Sequence, residues 1–146
     1  MSVTIREAEL SDRKECSRLL QLLGGGENTG HALSEGHFAQ LIKGDRGAVL
    51  LAGEDTSVLG MVSISFNLAL RYEGGYCQLE ELIVDPSARG KNVGFQLVTS
   101  AIKRATKHGC EEIGLYLMAS TEHNQPFYEK SGFQRIGSEM RQSLVS

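Results

Sequence analysis

The stretch from residue 82 to residue 109 constrains this chain more than any other. Leu82-Ile83-Val84 is a short apolar run that meets Asp85-Pro86. Proline lacks a backbone donor, so a strand reading ends there. A basic loop punctuated by glycine follows at once: Arg89-Gly90-Lys91-Asn92-Val93-Gly94. Beyond it Val93, Leu97, Val98, Ala101, Ile102 and Ala105 recur at helical spacing until Gly109 interrupts the pattern. A strand, a tight loop and a helix in so few residues define the first half of a βαβ unit. "EEIGLYLMA" (111–119) supplies its second strand, and the crossover should be right-handed.

The loop also has a chemical reading. The first turn of a helix leaves backbone N–H groups without acceptors and carries partial positive charge. A loop feeding directly into that turn wraps those donors around a phosphate. Gly90 and Gly94 remove side chains from the approach, and Arg89 and Lys91 add positive charge. An anionic ligand, a pyrophosphate above all, fits this loop. The nucleotide P-loop string GxxxxGK[ST] does not occur, and a dinucleotide GxGxxG would stand earlier, with an acid about 20 residues further on.

The rest of the chain frames this unit. "VTIREA" alternates as an opening strand, Ser11 is placed to cap a helix, and "DRKECSRLLQLL" puts Cys16, Leu19, Leu20 and Leu23 on one face. "GGGENTG" is a glycine-rich loop, and a second helix near Ser34–Lys43 packs Phe38, Leu41 and Ile42. "AVLLAGE" and "SVLGMVSISFNLAL" read as strands joined through "EDTS". "RYEGGY" is a turn to which Gly74 and Gly75 bring positive φ, and "CQLEELIVD" is the central strand. "NQPFYEKSG" reads as a short helix ended by Gly132, and "FQRIGSEMRQSL" as a final strand. The predicted fold is a single α/β domain over 1–146. It has a mixed, mostly antiparallel central sheet with helices on both faces, in the order β-α-α-β-β-β-α-β-α-β.

Composition removes several function classes. With 40% apolar and 23% charged residues the chain is ordinary globular material, and a formal net charge of −3 gives no global case for binding nucleic acid or a membrane. No apolar run is long enough to span a bilayer, so the expected location is cytoplasmic. Three widely spaced cysteines, Cys16, Cys77 and Cys110, fit neither a disulfide framework nor a zinc site. The four histidines lack HxxxH or HExxH spacing, so no metal is expected.

Arg89, Val93 and Gly94 match the pattern [Q/R]-x-x-G-x-[G/A] that follows a strand in the GCN5-related N-acetyltransferase superfamily, with Asn92 in place of the central glycine. "NQPFYEKSGF" (124–133) resembles the second signature of that superfamily, at the expected separation. "ARGKNVG" is also similar to the aminoalkylphosphonate N-acetyltransferase branch and to some aminoglycoside N-acetyltransferases.

The resemblance implies acetyl-CoA as donor and the primary amine of a small molecule as acceptor. The loop Arg89, Gly90, Lys91, Asn92, Val93 and Gly94 would hold the CoA pyrophosphate. Leu82, Ile83 and Val84 would exchange amide hydrogen bonds with the pantetheine arm, and Asn124 would add a cofactor contact or cap the short helix. A bulge in the central strand would splay it from the strand beginning near Ile113. Tyr128 matches the tyrosine that protonates the leaving thiolate. Many relatives carry a base glutamate where Gln78 stands, and glutamine takes no proton. Glu80 is therefore the expected base, acting through water, with Gln78 orienting the acceptor. On a regular strand Gln78 and Glu80 share a face and Glu81 points away. Acetylation of a protein N-terminus or lysine, and a non-catalytic acyl-CoA-binding module, are the alternatives. A homodimer through terminal strands is the expected assembly.

Overall fold

The computed structural model describes residues 2–23 and 33–145. The glycine-rich loop predicted over 24–30 lies outside the described residues. The chain forms two units, Met1–Leu115 and Tyr116–Ser146.

The first unit is built on one five-stranded sheet. Strands β1 (Thr4–Glu7), β2 (Gly47–Glu54), β3 (Ser57–Asn67), β4 (Tyr76–Val84) and β5 (Ile113–Gly114) lie side by side in sequence order. Pairing is antiparallel from β1 to β4, and β4 pairs β5 in parallel. This is the predicted meander running into a βαβ unit. The β2–β3 turn is two residues long, and Asp55 takes it through a left-handed φ of 57°.

Ala48 to Ala52 of β2 and Leu59, Met61, Val62 and Ile64 of β3 are buried, which follows from helices covering both faces of the sheet. On one face lie α1 (Arg13–Leu20) and α2 (Glu35–Lys43). Cys16, Leu19 and Phe38 from these helices form one core with Val49, Leu51, Met61 and Ile83. On the other lies α3 (Val93–His108), whose Val93, Leu97, Val98, Ala101 and Ala105 are buried as the periodicity predicted. Gly60 is a point of close approach between α3 and the sheet. A Cβ there would stand 2.8 Å from the Ile83 carbonyl oxygen and 3.1 Å from Val93 Cγ1.

Caps follow the sequence in part. Ser34 Oγ accepts the His37 N–H at 3.1 Å and starts α2. Ser11 does not cap α1. It sits in a 3₁₀ turn, Leu10–Asp12, and Asp12 accepts the Glu9 N–H at 2.7 Å instead. Gly109 closes α3 at φ 95°. Of the two glycines in the β3–β4 turn only Gly75 has positive φ. Gly74 is required by contact, since a Cβ would meet the Gly109 oxygen at 2.1 Å.

The second unit contains a 3₁₀ segment, Ala119–Asn124, and α4 (Gln125–Glu129), followed by Gly132 at φ 97°. Two predicted strands are corrected here. The strand expected over 111–119 is paired only at Ile113 and Gly114, and the strand expected over 133–144 is not formed. A strand needs a neighbouring ladder to satisfy its backbone, and among the described residues this last segment pairs with none. Its apolar side chains are left in solvent, with Ile136 92%, Met140 94% and Leu144 92% exposed.

Candidate active site

The site begins with a defect in β4. Ser63 pairs with Glu81, but the next residue of β3, Ile64, pairs with Leu79. Glu80 is therefore the extra residue of a bulge. Two consecutive glutamates inside an alternating strand are the sequence trace of that bulge. Its consequence is a change of face. Ser63 and Ser65 lie two apart on β3 and share one side of the sheet. Ser65 pairs with Gln78, and its Oγ donates to Glu80 Oε2 at 2.7 Å. The Ser63 hydroxyl donates to the Glu81 carboxylate and accepts the Glu81 N–H at 3.1 Å. Gln78, Glu80 and Glu81 thus present to the same side, the side of α1 and α2. The regular-strand expectation that Glu81 turns away is corrected by the bulge.

The two carboxyls differ sharply in environment. Glu80 is exposed, whereas Glu81 is half-buried beside Ser63, which is 2% exposed. Burial pushes the Glu81 carboxyl above the usual carboxylate range. The Ser63 hydrogen bond opposes that shift, the Glu80 charge adds to it, and His37 opposes it. Asn67 Nδ2 donates to Ser65 Oγ at 3.0 Å, so a polar row on β3, Ser63-Ser65-Asn67, faces the acidic turn of β4.

Beyond the bulge β4 has an open edge. The ladder to β5 contains only Cys77↔Ile113 and Gln78↔Gly114. Leu82, Ile83 and Val84 pair with β3 on one side and lie past the end of the β5 ladder on the other. Ile83 is buried in the core, so only its backbone is available at that edge.

The strand leads straight into the basic loop. Asp85 accepts the Ser87 N–H at 2.9 Å and pairs with Arg18 Nη1 at 2.7 Å. The Ser87 backbone hydrogen bond, then Arg18, hold its carboxyl at about 2. Arg18 also donates to the Val58 carbonyl at 3.2 Å, so it joins α1 to β3 as well as to the start of the loop. Gly90 turns at φ 84° and Asn92 at φ 61° immediately before α3. Arg89 is exposed, Val93 is buried, and Lys91 Nζ is held by Glu54 at 2.8 Å. The expected loop residues are therefore contiguous at the N-terminus of a 16-residue helix.

In the second unit Tyr128 is half-buried between two aromatic neighbours. Phe127 and Phe133 meet it edge-on, with centroids at 5.0 Å and 5.9 Å. Burial pushes its phenol above the usual phenol range, which favours the protonated form. Asn124 occupies the N-cap position of α4, but its side chain makes no capping bond. Thr121 is used locally, accepting the Met118 N–H at 3.0 Å.

The profile of the acetyltransferase (GNAT) family matches residues 14–133. The chain belongs to that family. It is 35% identical over 66 residues to the glucosamine 6-phosphate N-acetyltransferase of Trypanosoma brucei brucei, a match covering 45% of this chain and 43% of the relative. It is 28% identical over 144 residues to the glucosamine 6-phosphate N-acetyltransferase of Arabidopsis thaliana, covering 93% of each. The aminoalkylphosphonate N-acetyltransferase of Salmonella typhimurium is 28% identical over 85 residues, 58% of this chain and 55% of that protein. The matches thus span about half the length of two of these relatives. Among solved structures, a transcriptional regulator from Bacillus halodurans C-125 superposes with a TM-score of 0.84 at 27% identity, covering 97% of this chain and 99% of that one.

Within the GNAT pattern, the substitution at Asn92 now has a physical account. The position requires a left-handed backbone, which asparagine tolerates better than other residues with a Cβ. Sequence reasoning missed Ser63, whose role depends on the β3–β4 register, and Glu54, which joins Lys91 from 37 residues away. Cys77 is fully buried with its thiol pushed up to about 12 by desolvation, which leaves no thiolate for a GNAT reaction through an acyl-cysteine.

Proposed function

We propose that this protein is an acetyl-CoA-dependent N-acetyltransferase. It moves the acetyl group directly to the primary amine of a small molecule that carries a phosphate or phosphonate. The observation that carries the reading is the continuity of a bulged strand, an open strand edge and a left-handed basic turn entering a long helix. Named relatives that act on glucosamine 6-phosphate and on aminoalkylphosphonates support the acceptor class.

Each part has a task. The amides of residues 89–94 take the CoA pyrophosphate, and Arg89 adds charge. Leu82–Val84 exchange amide hydrogen bonds with the pantetheine arm. Gln78 orients the acceptor amine, and the carboxylate pair Glu80 and Glu81 receives its proton. Asn124 is free of a capping duty and is assigned a contact to the CoA arm. Tyr128 delivers its proton to the thiolate as the tetrahedral adduct collapses.

We assign the protein a cytoplasmic setting, which fits three free cysteines, two of them buried. We also assign it a homodimer in which segment 133–145, which is not in a strand, adds to a sheet of the second copy. The exposure of Ile136, Met140, Leu144 and Val145 supports this assembly.

The test is release of free thiol from acetyl-CoA with a panel of amines. Release with glucosamine 6-phosphate or an aminoalkylphosphonate, and much less with the unphosphorylated amines, is the expected result. Thiol release only with a protein or peptide acceptor would replace the reading with protein acetylation. Tight CoA binding without turnover on any amine would replace it with a binding module.

A further inference from the structure

The geometry points to Glu81, clamped by the buried hydroxyl of Ser63, as the group that takes the acceptor's proton, with Ser63 as its positioning residue. The inference rests on the acetyl-transfer reading and decides between two adjacent carboxylates that a regular strand would have separated.

The bulge puts Glu80 and Glu81 on one face with Gln78, but it holds them differently. Glu80 reaches out to Ser65 and stays in solvent. Glu81 is drawn inward, and Ser63 fixes it from two directions, donating to its side chain and accepting from its backbone. Each serine contact spans the same residue pair across the bulge, so the rotamer of Glu81 and the local backbone are set together. Ser63 is 2% exposed, so water does not compete for its hydroxyl. Proton transfer is most efficient when the acidity of the base lies near the operating pH. Desolvation moves Glu81 in that direction. The charged and titratable groups facing it are Glu80 on its own strand and His37 on α2.

The protons balance. The Glu81 carboxylate takes one proton from the substrate ammonium and frees the nitrogen lone pair. That pair forms the C–N bond to the thioester carbonyl carbon, the C–S bond breaks, and CoA leaves as thiolate. As the adduct collapses Tyr128 gives its proton to sulfur, the second nitrogen proton passes through water to the Tyr128 phenolate, and the phenol is restored. Glu81 returns its proton to solvent before the next turnover.

The experiment is kcat/KM against pH for wild type, Glu81→Gln, Ser63→Ala, Ser63→Thr and Glu80→Gln, with glucosamine 6-phosphate as the first acceptor and 2-aminoethylphosphonate as the second. Circular dichroism and CoA binding report whether each variant is folded. Glu81→Gln is expected to lower kcat/KM by roughly 10²- to 10⁴-fold and to abolish the acidic limb. Ser63→Ala removes a hydrogen bond that favours the charged carboxylate, so the limb moves to higher pH. Ser63→Thr restores the hydroxyl and returns the limb toward the wild-type position. Glu80→Gln removes a neighbouring negative charge and moves the limb to lower pH without abolishing it. Loss of the limb in Glu80→Gln together with its survival in Glu81→Gln overturns the inference and leaves acetyl transfer standing. An unmoved limb in folded Ser63→Ala overturns the positioning role. No thiol release by wild type with either acceptor overturns the acetyl-transfer reading for this acceptor class, and this inference with it.

Discussion

Tyr128 is packed as a core aromatic and is also the residue to which the proposed function gives the acid role. Its ring is wedged edge-on between Phe127 and Phe133, and the same burial that fixes the ring favours the protonated phenol. Tyr128→Phe preserves the ring and removes only the proton donor. Stability should change little, and CoA affinity should stay near wild type. The turnover number should fall toward the low end of the roughly 10²- to 10⁴-fold range of general acid catalysis, because water partly substitutes. Steady-state kinetics beside CoA titration checks this. A wild-type turnover number in a chemistry-limited step would leave Tyr128 as a packing residue. The sequence singles out Tyr128 because "NQPFYEKSGF" carries its own local signature. It does not single out Ser63, because nothing in "VSISF" distinguishes it until β4 is laid beside it.

At the scale of elements, β4, the basic loop and α3 are contiguous, and the role proposed for each has a separable test. Gly94 sits in the first turn of α3, whose free amides are the groups proposed to hold the pyrophosphate. Gly94→Glu would place a carboxylate against that anion. The expected outcome is loss of CoA binding by calorimetry with the circular dichroism spectrum retained, and wild-type affinity would refute the assignment of this loop. Gly60 tests the support beneath the loop. Adding a Cβ 2.8 Å from the Ile83 oxygen and 3.1 Å from Val93 Cγ1 forces α3 away from the sheet. Gly60→Ala should destabilise the fold by about 1–3 kcal/mol in denaturant unfolding. It should also weaken CoA binding, because the helix that presents the loop has moved. The elements themselves were legible wherever periodicity and caps agreed, as in α3 from Val93 to its stop at Gly109. They were not legible at 111–119 and 133–144, where alternation is present but a ladder partner is not.

At the scale of the whole molecule the open question is assembly. Ile136, Met140, Leu144 and Val145 are each more than 80% exposed, and a stretch of this kind is a liability in solution unless something covers it. A homodimer that uses 133–145 as an added strand should give a light-scattering mass of twice the 15.9 kDa chain at micromolar concentration. Truncation after Gly132 should return the monomer mass. A monomer mass for the untruncated protein would refute the assembly.

The sequence by itself determined the class of fold, the order of the elements through α3, and the loop that marks the family, because each is a local pattern. Alternation names a strand, a 3.6-residue period names a helix, and the glycine-punctuated basic turn between them carries the family pattern. Tertiary structure alone decided which acidic side chain faces which neighbour. The bulge at Glu80 is a relation between two strands, and a shift of one residue reverses the face of every side chain beyond it. That shift brings Glu81 to the side of Gln78 and under the hydroxyl of Ser63, 18 residues away in sequence. No pattern within β4 alone contains that contact, because its physical origin is the register of the ladder that β3 imposes.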